Sequence, residues 1–128
     1  MKNYIDNIEN QTLDNTNFRK VLFTGEHSQL VVMSLEPSEN IGMEVHPDVD
    51  QFIRIEEGKG KAILDGEEYA LEDDFAVVIT AGTEHDIVNV SDKEPLKLYT
   101  IYSPPNHPDG TVHKDKAEAD AYEESHHH

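Results

Sequence analysis

The sequence predicts an all-β fold, and three observations predict it. Seven short runs, at positions 18–24, 29–35, 51–55, 61–64, 75–80, 86–90 and 96–102, are rich in Val, Ile, Leu, Phe or Tyr, the residue types that fit a pleated, half-buried surface. Turn residues separate them, above all Asp65-Gly66 between Ala62-Ile63-Leu64 and Tyr69-Ala70-Leu71. A two-residue Asp-Gly loop tolerates positive φ at both positions and closes a hairpin. Only one stretch reads as helix, near the C-terminus. Many short strands at regular spacing in a 128-residue chain point to a sandwich or closed barrel.

Taken in order, residues 1–17 carry Asn3, Asn7, Asn10, Asn15 and Asn17 and few large apolar groups. They read as a weakly structured lead-in able to add an edge strand. The β domain spans 18–103, with a further tight turn at Glu57-Gly58-Lys59-Gly60. Strict alternation over 51–56 puts Gln51, Ile53 and Ile55 on one face and Phe52, Arg54 and Glu56 on the other. The isoleucine face is the core face, so Gln51 turns inward. His85, Ile87 and Asn89 share a face by the same rule. Residues 104–125 form a strap broken by Pro104, Pro105 and Pro108, then an Ala- and charge-rich helix over 115–121 with a thin apolar face. His126-His127-His128 is a His-rich tail or the remnant of a purification tag, and is left out of the site.

Length and composition limit the function. The chain is the size of one ordinary domain. It has no cysteine, which removes disulfides, thiolate metal sites and cysteine nucleophiles together and leaves His and carboxylate as metal ligands. Net charge is −17, from 27 acidic and 10 basic residues, and a surface that negative repels phosphate backbones and anionic headgroups. Nucleic acid and membrane are therefore not expected partners. The acids are spread along the chain, which serves solubility first and enriches divalent cations nearby second. With neither a run of about 18 apolar residues nor a charged-then-apolar leader, a cytoplasmic protein is expected.

Two clusters carry the chemistry: Glu44-Val45-His46, four residues, Gln51, six residues, Gly58; and Gly82-Thr83-Glu84-His85, three residues, Asn89. Glu44 and His46 are two apart, so on a strand they project to one face while Val45 points to the other. Turning His, Glu and Gln toward an Ile-lined interior costs about 1–3 kcal/mol for each polar group left unpaired. Each residue alone also fits a plain role: a surface pair for Glu44 and His46, a turn cap for Gln51, an isolated core histidine for His85. Their joint spacing, each cluster in strand context with its own turn glycine, favours a common metal site.

These segments resemble the paired motifs of the cupin superfamily. The first motif of that family runs His-x-His, three or four residues, Glu, six residues, Gly; the second runs Gly, five residues, Pro-x-Gly, two residues, His, three residues, Asn. Here the second reads Asp74, five residues, Thr80-Ala81-Gly82, then His85 and Asn89. The resemblance covers approximately 29–102. It implies a jelly-roll (double-stranded β-helix) barrel with a metal near its mouth, held by Glu44, His46, Gln51 and His85. Where the family has a histidine and a glutamate, this chain has Glu44 and Gln51. The set becomes two imidazoles, one carboxylate and one amide oxygen, with Fe, Mn, Ni or Zn as acceptable ions. The neutral amide lowers affinity.

In such a barrel Lys97 faces solvent, which turns Leu98, Thr100 and Tyr102 inward. Tyr102 is then the candidate catalytic side chain, with a barrel-filling aromatic as its alternative. His107 and His113, in the strap, either lend a general acid or base or pack structurally against an edge, the second being favoured. The family's habits also imply a homodimer and a small-molecule ligand. Two functions follow: a metal-dependent enzyme of sugar isomerase, epimerase or dioxygenase type, or a non-catalytic module that captures a small sugar or organic acid.

Overall fold

The computed structural model describes residues 3–125; the His run at 126–128 lies outside the described residues. Among the described residues are ten strands: β1 (Arg19–Thr24), β2 (Gln29–Leu35), β3 (Glu44–Val45), β4 (Asp50–Glu57), β5 (Gly60–Leu64), β6 (Glu67–Leu71), β7 (Ala76–Ile79), β8 (Glu84–Asn89), β9 (Leu96–Ser103) and β10 (Val112–His113). Seven lie on the apolar runs and three, β3, β6 and β10, outside them. Helix α1 (Ile8–Asp14) precedes them and α2 (Lys116–Ser125) follows them.

The strands form two antiparallel sheets, ordered β10-β1-β2-β9-β4-β7 and β3-β8-β5-β6. Both contribute to one core: Met33, Leu35, Ile53, Ile55 and Leu98 come from the first sheet, Ala62, Leu71 and Ile87 from the second. Among the described residues no hydrogen-bonded ladder joins the sheets. Strand pairing gives two antiparallel sheets around one shared core and does not by itself close a barrel.

Turn chemistry fixes the registers. Asp65 and Gly66 both have positive φ, 49° and 86°, which matches the twist of β5 and β6 and closes their hairpin. Gly58 is constrained twice over. Its φ is 119°, and a Cβ there would lie 2.8 Å from the Pro95 carbonyl oxygen and 3.1 Å from Leu96 Cα. Backbone cannot yield as a flexible side chain does. Gly58→Ala is expected to cost about 2–3 kcal/mol, read as a lower urea midpoint at unchanged slope; an unchanged midpoint would refute it.

Three expectations need correction. The lead-in supplies a helix instead of an edge strand, because Asn7 caps α1 by accepting from the Asn10 backbone N–H at 2.9 Å. Thr12 then docks fully buried, and α1 packs across β2, β4 and β9. That docking explains the second: Lys97 points away from the core, as alternation requires, yet is only 8% exposed. The outer face there is covered, and the Lys97 ammonium donates to the Asn15 carbonyl. Third, α2 runs longer than 115–121. Its thin face still docks, with Ala119 buried, the Tyr122 ring 5.3 Å from that of His113, and β10 tied to the edge of β1.

Candidate metal centre

Strand pairing brings the first two donors together: Glu44 on β3 is the cross-strand partner of His85 on β8. His46 follows directly, and its carbonyl accepts the Gly82 N–H at 2.9 Å, tying the first cluster to the glycine of the second. The two imidazole centroids are 5.1 Å apart, and Glu44 Oε2 lies 4.0 Å from His46 Nε2. One ligating atom from each of Glu44, His46 and His85 falls within 4.8 Å of the others.

Each donor is prepared. The Thr83 carbonyl lies 2.9 Å from His85 Nδ1, and since a carbonyl only accepts, Nδ1 carries the proton and the Nε2 lone pair is left for a metal. His46 Nε2 is buried without a hydrogen-bond partner. Burial, then the neighbouring His85 and the Arg19 charge, push the His46 pKa down to about 4, so the ring is neutral at pH 7. Glu44 is shifted up, chiefly by desolvation, against the opposing pull of Arg19. An orphaned imidazole nitrogen beside a desolvated carboxylate and a second oriented imidazole fits a divalent cation.

Gln51 is 4% exposed on β4 and opposite Tyr102 on β9. Its Nε2 donates to Thr100 Oγ1 at 3.0 Å, while its Oε1 is buried without a partner. The amide is thus turned with its oxygen unsatisfied. Tyr102 is 2% exposed and meets two rings nearly edge-on, His46 at 6.0 Å and His107 at 5.1 Å. Burial pushes its hydroxyl up to about 12. It is a proton donor at neutral pH and a poor base.

The strap is where structure goes beyond the sequence. Gln29, 1% exposed, accepts the backbone N–H groups of Asn106 and His107 at 3.0 Å each and donates to the His107 carbonyl at 2.7 Å. That side-chain amide holds the strap over the interior, so His107 lies at the site in addition to packing. Nothing in the pattern marked Gln29 for this task. His113 is 6% exposed and packs against Arg19, its Nδ1 3.4 Å from Arg19 Nη1. A cleft of about 510 Å³ opens between His46, His107 and Glu123.

His107 Nε2 is also buried and unpartnered, and burial, followed by the Arg19 charge, lowers its pKa to about 3. The unfolded chain takes up this proton near pH 6.5 and the folded one does not. Metal-free protein should therefore lose stability as pH falls from about 6.5 toward 3. His107→Leu should flatten that limb, removing about 2 kcal/mol of the loss between pH 7 and 4.5. Urea denaturation at the two pH values measures it, and parallel curves for both proteins would refute the assignment.

Comparison with known proteins agrees with this architecture. The chain is similar to YrkC of Bacillus subtilis (strain 168), at 47% identity over 96% of this chain and 69% of that one. It is 46% identical to a protein of Acanthamoeba polyphaga mimivirus, over 85% of this chain and 70% of that one. The crystal structure of BH2720 from Bacillus halodurans superposes with a TM-score of 0.91 at 44% identity, covering 94% of this chain and 95% of that one. The family model described as "Cupin domain" matches residues 31–102, more than half of the sequence, and the chain belongs to the cupin family.

Proposed function

We propose that this cupin binds one divalent metal ion through Glu44, His46 and His85, with the Gln51 amide oxygen as a fourth donor, and acts as a metal-dependent enzyme on a small polar molecule. The orphaned, buried His46 Nε2 within 4.8 Å of donor atoms from Glu44 and His85 carries the reading. When bound, a divalent ion such as Fe, Mn, Ni or Zn supplies Lewis acidity toward a substrate oxygen, or activation of water or dioxygen. The protein's own contribution is positional. Tyr102 offers an O–H beside His46, the strap carries His107 against it, and the cleft admits a ligand of a few carbons. Capture without turnover is favoured by one observation: Tyr102 is held near 12 and His107 near 3, so neither is tuned to exchange protons near pH 7.

Protein lacking residues 126–128 is expected to retain near-stoichiometric divalent metal by elemental analysis. Metal that disappears with the tail would assign it to the His run and refute the site. Turnover of candidate sugars and organic acids by the loaded protein separates enzyme from binder. A homodimer belongs to the same proposal, and sedimentation measures it.

A further inference from the structure

Arg19 is a charge that the metal reading leaves unexplained. It sits at the start of β1, paired with Met33 and His113, and shares its inward face with Val21. It is only 4% exposed. Among the described residues no carboxylate comes within 4.0 Å of its guanidinium; its polar contact is His113 Nδ1 at 3.4 Å, and its Nε is buried without a partner. The Phe18 ring lies against it, 5.3 Å from the guanidinium carbon. An unpaired buried guanidinium is costly, and replacing such a charge by an apolar residue of similar size is commonly neutral or stabilising. Retention of the charge here therefore needs a ligand-side reason.

Position supplies one. Arg19 lines a cavity of about 220 Å³ together with Glu44 and Glu123, and those two residues also line the larger cleft beside His46 and His107. The two cavities thus share Glu44 and Glu123 in their walls, with Arg19 on one and His46 and His107 on the other. Asp120, on the cavity's α2 side, is already paired with Lys116 at 3.9 Å. Charge counting completes the argument. A divalent ion on one carboxylate and two neutral imidazoles leaves one net positive charge and Arg19 adds a second, while Glu123, which lines both cavities, offsets one of them. The positive charge that remains is matched by one ligand carboxylate, which a planar guanidinium fork meets bidentately.

We propose that Arg19 is the specificity-determining residue of this site, and that its ligand is a small organic acid whose carboxylate meets the guanidinium while another oxygen faces the metal, a conclusion that rests on the metal reading above. Neutral sugars are disfavoured, since they leave the guanidinium unpaired.

The test uses protein lacking residues 126–128, loaded with Co(II), whose visible absorption reports its ligands. Glycolate and malonate are titrated calorimetrically, with glycerol as the uncharged control. Wild type is expected to bind a carboxylate and not glycerol. Arg19→Met is expected to keep Co(II) stoichiometry and its spectrum, to melt no lower than wild type, and to bind the carboxylate about 30-fold more weakly or worse. Arg19→Lys, which keeps the charge and loses the fork, should lie between them and carries the comparison if Arg19→Met does not fold. Wild type that takes up no Co(II) overturns the metal reading together with this one. Wild type that takes up Co(II) but binds the carboxylates no better than Arg19→Met, or prefers glycerol, overturns this inference alone.

Discussion

Protein in which His46 and His85 are both replaced by alanine is expected to lose divalent-metal affinity by about 1,000-fold or more while remaining folded. Disturbing even an outer partner of a metal ligand typically costs about 10- to 100-fold, and here two of the three convergent donors vanish. The fold should survive because the two side chains do little for the metal-free state. His46 Nε2 has no hydrogen-bond partner to lose. His85 gives up one bond to the Thr83 carbonyl, a net change of about 1 kcal/mol. Calorimetric titration with Mn(II) or Co(II) gives the affinity, and a urea curve on metal-free protein gives the stability. Unchanged metal content in the double variant, with the tail absent, would remove the site. A variant that loses metal only because it unfolds would be recognised by its lost urea transition, and His46→Gln, which keeps the volume, would then carry the measurement with an expected loss of about 10-fold or more.

The inward placement of Gln51 and His85 was legible because period-two alternation is a local rule. In β4 it turns Gln51 inward with Ile53 and Ile55, and all three are at most 4% exposed. In β8 it groups His85 with Ile87 and Asn89, and these are equally buried. Even the departure at Asp74, where the family's second motif has glycine, keeps its physical meaning. Its φ is 73°, a left-handed conformation that Asp tolerates better than most residues, and its carboxylate accepts from Arg54 Nη2 at 2.9 Å.

What escaped the sequence depends on surfaces that meet only after folding. Alternation correctly sends Lys97 outward, but no local rule reveals that α1 will cover that part of the sheet. The asparagines of the lead-in looked like loop formers, whereas Asn7 works as a helix cap and Asn15 holds the following turn through Asn17. Arg19 opens a strand whose alternation, Arg19 and Val21 inward, was available as a signal; an arginine on a core-facing position is the clue. The closure of the strap rests on Gln29 and on residues 106 and 107, nearly eighty positions away, a pairing that no periodicity encodes.

Exchange of Gln51 for glutamate restores the carboxylate that the family's first motif carries, and it should move two properties in opposite directions. Metal affinity should rise about 10- to 100-fold, because a neutral amide oxygen becomes an anionic donor in a proposed ligand set that has one carboxylate, Glu44. The metal-free protein should lose about 1–3 kcal/mol at pH 8, since the new carboxylate is buried at a position 4% exposed with no metal ion to hold it. Thr100 survives the change: it accepts from Gln51 Nε2 now, and its hydroxyl can rotate to donate to a carboxylate. Urea midpoints of the metal-free proteins and Co(II) titrations of both give the two signs directly. Lower stability without tighter metal binding would place the Gln51 oxygen outside the coordination sphere and leave three donors; unchanged stability would contradict its burial.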